Sequence, residues 1–204
     1  MTSPLKISAL LLAAGSSQRF GVTPKQLAEL QPKIPMVAQT YQALCETSID
    51  TIIIVTGRET EEIKSILDLR NKDDIVYNPR FEKGMTSSIQ TGLAQITYAD
   101  GLMIALADMP ALTSLDYEFM IQAFDKKGGV QRILLPIYKG QRGNPVIFGN
   151  AFFKDIANHQ APNGCYDIIQ KNKKNLIKID VPNDHYLVDI DTREDLKNFM
   201  NRAE

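Results

Sequence analysis

Two cysteines and two histidines are all that the 204-residue sequence holds of the residues that most often build metal cages and covalent active sites. Cys45 and Cys165 lie far apart, neither in a C-x-x-C pair, and no neighbouring cysteine or histidine completes a zinc set. The expectation is two packed thiols in a reducing, cytoplasmic setting. His159 and His185 stand alone and read as surface or hydrogen-bonded side chains. No Ser-His-Asp or Cys-His constellation announces itself. Charge of one sign is also lacking: 23 Lys and Arg against 24 Asp and Glu leave a formal net charge of −1. No global field therefore draws nucleic acid or an anionic membrane, and any anion site has to be local. No apolar stretch approaches the roughly 20 residues that span a bilayer. Both G-x-G-x-x-G and G-x-x-x-x-G-K-S/T are missing, which removes the two most common phosphate fingerprints. Repeats and low-complexity tracts are missing too.

What is present is a core. With 44% hydrophobic residues, the chain suits one domain over 1–204. Short β-rich runs alternate with amphipathic segments. The strands expected are Ile7–Ala13, Thr51–Thr56, Asp74–Tyr77, Leu102–Ala107, Ile133–Tyr138, Pro145–Phe148 and Leu176–Asp180. Several are apolar almost throughout, as strands covered on both faces are. Helical stripes appear at Val37, Tyr41 and Leu44; at Ile63, Ile66 and Leu67; at Met85, Ile89, Leu93 and Ile96; and at Leu196, Phe199 and Met200. The last follows Thr192, with Asp195 completing a capping box. The alternation predicts an α/β fold with a mostly parallel sheet. The segment 133–148 has two strands and no helix between them, so it predicts a small antiparallel insertion near one sheet edge.

The residues 11–27, LLAAGSSQRFGVTPKQL, hold the first candidate site. A secretory leader is one interpretation of Lys6 through Gly15, but the apolar run is short and cleavage would remove the first strand of a regular pattern. In open α/β sheets ligands bind beyond the carboxyl ends of strands. The small side chains of Ala13 to Ser17 let backbone N–H groups approach an anion. Arg19 offers a planar fork for phosphate oxygens, and Lys25 a compact charge. A solvated turn with both cations in water is the plain alternative. Asp108, at the end of an apolar strand and before Pro110, could meet a ligand or cap a turn. Asp189 and Asp191 are two apart, so on extended backbone they share a face, although Asp191 could equally cap the last helix.

The same stretch resembles the signature of the MobA-like nucleotidyltransferases, L-A-A-G-x-S-x-R-M/F-G followed by P-K-Q-L. It is most similar to the branch that includes molybdenum cofactor cytidylyltransferase. NPRFEKGMTSSIQTGL (78–93), ALADMP (105–110), RGNPVIF (142–148) and VDIDTREDL (188–196) resemble further family blocks, in family order. The resemblance implies a three-layer Rossmann-like fold of the nucleotide-diphospho-sugar transferase (GT-A) type. It also implies a Mg2+-dependent enzyme that moves a nucleoside monophosphate, CMP from CTP, onto a phosphate-bearing acceptor such as molybdopterin, releasing pyrophosphate.

Under it Arg19, Lys25 and Asp108 are the catalytic residues, and Asp108 and Asp189 the metal ligands. Leu12, Ala13, Ala14, Gly15, Ser16, Ser17, Arg19, Lys25, Asn78, Gly84 and Ser88 hold the nucleotide, and Arg142 and Asn144 the acceptor. The expected partners are CTP or another NTP, the molybdopterin-type or other phosphorylated acceptor, and a molybdoenzyme. Neither nucleic acid nor a membrane is among them, and the protein is expected to be a monomer. Two departures bear on the acceptor. Asn144 stands where the family usually has histidine, and Cys165, Tyr166 and Asp167 follow Gly164 where relatives often have a basic residue. A sugar or polyol phosphate acceptor, or a nucleotide or cofactor carrier without turnover, are the alternatives.

Overall fold

The computed structural model describes residues 4–15, 20–21, 24–30 and 33–202. In chain order the elements are β1 (Ile7–Ala13), β2 (Glu29–Leu30), β3 (Ile34–Pro35), α1 (Met36–Cys45), β4 (Thr51–Thr56), α2 (Thr60–Ile66), β5 (Asp74–Tyr77), α3 (Met85–Leu93), β6 (Gly101–Leu106), α4 (Ser114–Lys127), β7 (Ile133–Tyr138), β8 (Gln141–Arg142), β9 (Val146–Gly149), α5 (Phe153–Ala157), α6 (Tyr166–Lys171), β10 (Leu176–Asp180) and α7 (Arg193–Arg202). The main sheet runs β10-β7-β9-β6-β1-β4-β5, with β8 hydrogen-bonded to β7. β1 is parallel to both β4 and β6, and β4 to β5. β2 and β3 form a separate two-stranded antiparallel sheet.

The apolar runs become central strands because both of their faces are covered. Along β1 the side chains alternate as the pleat requires. Ile7, Ala9, Leu11 and Ala13 join Val37, Tyr41, Leu44, Tyr117, Met120 and Phe124 in one core. Leu10 faces the other way, into a core with Ile53, Val55, Ile89, Leu102, Ile156, Ile168 and Ile169. The sheet is thus sandwiched by α1 and α4 on one side and by α3, α5 and α6 on the other. A third, smaller cluster packs Phe20, Ala28, Leu30 and Met36 on Ile190, with Leu196 and Phe199 against it. This cluster ties the segment carrying Lys25 to the one carrying Asp189 and Asp191.

Five of the expected strands have the expected bounds. β6 and β9 are each displaced by one residue. The antiparallel unit lies near one edge, as expected, but one strand in from it: β9 inserts between β7 and β6, antiparallel to both, and β10 closes the sheet parallel to β7. Two helical stripes also shift. Met85 and Ile66 are 44% and 38% exposed, while Ile89 and Ile63 are buried. Met85 opens α3 and sits at its solvent end, which is why the periodicity misassigned it. α7 begins as expected: Thr192 donates to Asp195 Oδ2, and Asp195 N–H donates back to Thr192 Oγ1.

Both cysteines are free thiols. Burial pushes the Cys165 thiol up to about 12, so it stays protonated. His185 is hydrogen-bonded to Asp116, but His159 departs from expectation, since its Nε2 is buried without a partner.

Candidate active site

A cleft of about 870 Å³ opens at the carboxyl ends of β1, β4 and β6. Its floor is Leu12, Ala14 and Gly15 from the end of β1, and Leu106, Ala107 and Asp108 from the end of β6. One wall is the start of α3 with Gly84, Met85 and Ser88; the other carries Lys25, Gln26, Asp189 and Asp191. Parallel β1 and β6 end side by side, and Ala107 N–H still donates to Leu12 C=O (3.1 Å), which brings Asp108 beside the Gly15 turn.

Pro24 leads into a short 3-10 turn, Lys25–Leu27. The buried Gln26 side chain donates to Gly15 C=O (3.2 Å), so the turn is locked to the β1 exit. From there Lys25 Nζ reaches Asp108 Oδ2 at 2.5 Å and Asp191 Oδ1 at 2.9 Å. The three side chains are 12%, 20% and 31% exposed, so this bridge is shielded much more than a surface pair. Burial opposes the charge on Lys25, but the two carboxylates outweigh it and its pKa lies above the usual lysine range. Asp189 moves the other way in charge. Burial, then the negative charges of Asp191 and Asp108, raise its pKa.

Residues 188–191 form neither helix nor strand and lie outside the sheet. Ile190 is buried and its N–H donates to Asp108 C=O (2.8 Å), which turns Asp189 and Asp191 together toward the cleft. Asp191 does not cap α7. Thr192 does that, and Asp191 pairs with Lys25.

At the opposite wall Gly84 has φ +96°, and a Cβ there would lie 2.7 Å from Pro162 C=O, so no side chain fits. Asn78 is fully buried. It donates to Ser87 (2.9 Å) and Ser88 (3.1 Å) and accepts from Arg80 N–H (2.9 Å). It supports the helix start from behind and is not among the residues lining the cleft. Ala13 is likewise turned into the core, so only its neighbours Leu12, Ala14 and Gly15 line the floor. The hydroxyls at the start of α3 mostly serve the protein: Thr86 donates to Ala161 C=O and Ser87 to Arg80 C=O (2.8 Å). Ser88 alone of the three lines the cleft. Ser16, Ser17 and Arg19 lie outside the described residues.

Arg142 and Asn144 lie apart from this cleft's lining. The Arg142 guanidinium carbon is 5.2 Å from the centre of the Tyr166 ring, in cation–π contact. Asn144 N–H donates to Tyr186 C=O (3.0 Å), and a Cβ at the adjoining Gly143 would lie 2.4 Å from that same oxygen. Sequence reasoning missed Arg58, Phe81 and Glu82 as cleft residues. The signal available was their place: Arg58 follows the end of β4, where ligands gather in such sheets.

Among the described residues no three Asp, Glu, His or Cys side chains form a self-sufficient metal cage. A hard divalent cation needs less protein than that, because one or two carboxylates plus substrate phosphates suffice. Asp108 Oδ1 fits such an ion: it is buried and has no hydrogen-bond partner, while Oδ2 is held by Lys25.

A lysine bridging two carboxylates over a floor of small residues thus stands at the strand ends of an α/β sheet, the place where such sheets take their ligands. The chain belongs to the family of the MobA-like NTP transferase domain, whose model matches residues 9–176, and it is a nucleotidyltransferase. It is similar to molybdenum cofactor cytidylyltransferase of Escherichia coli, 25% identical over 188 residues that make up 92% of this chain and 88% of that protein. It is 26% identical over 148 residues to the bifunctional protein GlmU of Rhizobium rhizogenes, covering 72% of this chain; the match spans about a third (32%) of that relative's length. In fold it is similar to Rv0371c of Mycobacterium tuberculosis, with TM-score 0.83, 22% identity, and coverage of 98% of this chain and 100% of that one. A further structure of Rv0371c is a complex with manganese. Among the described residues no helix is long and apolar enough to cross a membrane.

Proposed function

We propose that the protein transfers CMP from CTP to a phosphate-bearing acceptor of the molybdopterin type, with Mg2+, and releases pyrophosphate. The observation that carries this reading is the Lys25 bridge to Asp108 and Asp191, set against Gly15 in a cleft large enough for a nucleotide. In this reaction an acceptor phosphate oxygen attacks the α-phosphorus and the α–β bridging oxygen leaves with pyrophosphate. The attacking oxygen is already ionised at neutral pH, so no general base is needed. Placement and charge neutralisation remain for the protein to supply.

The backbone at Ala14 and Gly15 approaches the triphosphate without side-chain obstruction, and Lys25 meets its charge. Asp108, through its unpartnered Oδ1, and Asp189 or Asp191 would hold a divalent ion, which when bound would supply positive charge to the phosphate oxygens. Gly84 and Ser88 border the nucleoside, and Arg142 on Tyr166 offers in-plane donors to the acceptor's phosphate. The similarity to the cytidylyltransferase of Escherichia coli supports CTP and the molybdopterin class. The test is pyrophosphate release with each of the four NTPs and Mg2+, against molybdopterin and a panel of sugar and polyol phosphates. Release with CTP and molybdopterin is expected. Release only with a polyol phosphate would change the acceptor, and tight CTP binding with no release for any acceptor would make the protein a carrier.

A further inference from the structure

The Lys25 ammonium sits on two carboxylates of the cleft. Its ammonium holds Asp108 Oδ2 and Asp191 Oδ1, the oxygens a divalent ion would need. A small cation and an ammonium cannot share them, because both are positive and at that separation in a partly buried site they repel strongly. The chain offers the ion few other ligands, since among the described residues no three acidic, histidine or cysteine side chains assemble around one point. Yet Asp108 keeps one buried oxygen without a partner, so the site is not closed. The lysine also has somewhere to go. Its Cε lies 3.9 Å from where a Cβ on Gly15 would stand, so the stem already runs alongside the turn at the end of β1. Rotation about the terminal side-chain bonds carries the ammonium from the carboxylates toward that turn without moving the backbone.

We propose that Lys25 is a resident counter-cation that excludes a divalent ion from Asp108 and Asp191 until a polyphosphate arrives, draws the ammonium away and supplies the missing oxygens. Metal capture is thereby conditional on nucleotide. This rests on reading the cleft as a nucleotide and metal site, but its test does not involve turnover. Removal of Lys25 costs the protein its phosphate contact and at the same time takes a positive charge off Asp108 Oδ2 and Asp191 Oδ1, so metal and nucleotide affinities move in opposite directions. A lysine that served phosphate alone would leave metal affinity unchanged.

The experiment is titration of the full-length protein with Mn2+ alone, without nucleotide, read by the electron paramagnetic resonance of the free ion and by calorimetry. Lys25→Gln is expected to bind Mn2+ about tenfold or more tightly than wild type. Asp108→Asn in the Lys25→Gln background should abolish that gain. Arg58→Gln, which removes a different cation lining the same cleft, should change Mn2+ affinity by less than about threefold, since long-range field effects are screened. CTP affinity without metal should fall in Lys25→Gln. The proposal is overturned if Lys25→Gln binds Mn2+ no better than wild type, or if Arg58→Gln matches its gain, which would reduce the effect to net charge. Lys25→Met, nearly isosteric along the stem, repeats the test should Lys25→Gln show an altered circular dichroism spectrum. If the Mn2+ result holds while no acceptor releases pyrophosphate, the counter-cation stands and the assigned reaction fails.

Discussion

The two ends of the parallel strands make an instructive pair. Both carry a charged hollow. At the amino ends, Lys6, Asp50, Lys72, Asp74 and Tyr98 surround about 400 Å³, and at the carboxyl ends Lys25, Asp108, Asp189 and Asp191 border about 870 Å³. At the amino end Lys72 and Asp50 are 3.8 Å apart, 49% and 41% exposed, and water answers their charges. At the carboxyl end one ammonium is held between two shielded carboxylates, and a buried carboxylate oxygen has no partner. A hollow with charges is therefore not what distinguishes the site. The distinction is chemistry left unfinished by the protein, which a ligand can complete.

Substitutions can break this contrast in order of expected effect. Asp108→Asn should lower the pyrophosphate release rate by about 10²–10³-fold, the usual consequence of losing one preorganised electrostatic group. Its circular dichroism spectrum should match wild type, since the carboxylate is not part of the core. Undiminished release would take Asp108 out of the chemistry.

Asp116→Asn should cost about 1.5–3 kcal/mol of stability in urea unfolding at pH 7, the range for hydrogen bonds to a charged group. Burial alone would raise the Asp116 pKa, but donation from Asn183, His185 and Thr113 overcomes it and holds the carboxyl below its usual 3.8. A depressed acid stabilises the fold above its unfolded pKa and loses that contribution as pH falls through the folded value. The gap between Asp116→Asn and wild type should therefore narrow below pH 3.8. A gap that stays constant to lower pH would show that shape, not charge, sets it.

Gly143→Ala should cost about 1–3 kcal/mol, as overpacking does, because its Cβ meets Tyr186 C=O. Thermal melting measures it, and an unchanged melting temperature would mean the 143–186 contact yields freely. Smallest is Lys72→Met at the amino end, with a shift under about 0.5 kcal/mol and unaltered pyrophosphate release. A large loss of release there would erase the distinction between the two ends.

Much of the fold was legible because its signals are local or periodic. Apolar runs such as Ile7–Ala13 and Thr51–Thr56 suit strands covered on both faces, and regular alternation with amphipathic segments supports that reading. α4 was legible in principle and passed over: Thr113 and Asp116 form a capping box, followed by Tyr117, Met120, Ile121 and Phe124 on one face. The position of β9 inside the sheet was not legible, since pairing partners are decided by long-range packing and two adjacent strands look alike at an edge or within. At the site, Lys25, Asp108 and Asp191 are far apart in the chain, and their convergence comes from parallel β1 and β6 and from Ile190 docking on Asp108 C=O. Sequence motif alone could not separate Asn78, which braces α3 from behind, from Ser88, which faces the cleft. Burial makes that distinction, and burial is a property of the assembled fold.

The most direct measurement of the central claim is a crystal structure with a non-hydrolysable CTP analogue and Mn2+, located by anomalous scattering. The triphosphate is predicted between the Ala14–Gly15 turn and the carboxylates, with the ion about 2.1 Å from an Asp108 oxygen and the Lys25 ammonium moved onto the phosphates. A triphosphate bound elsewhere, or an ion without contact to Asp108, would contradict the account.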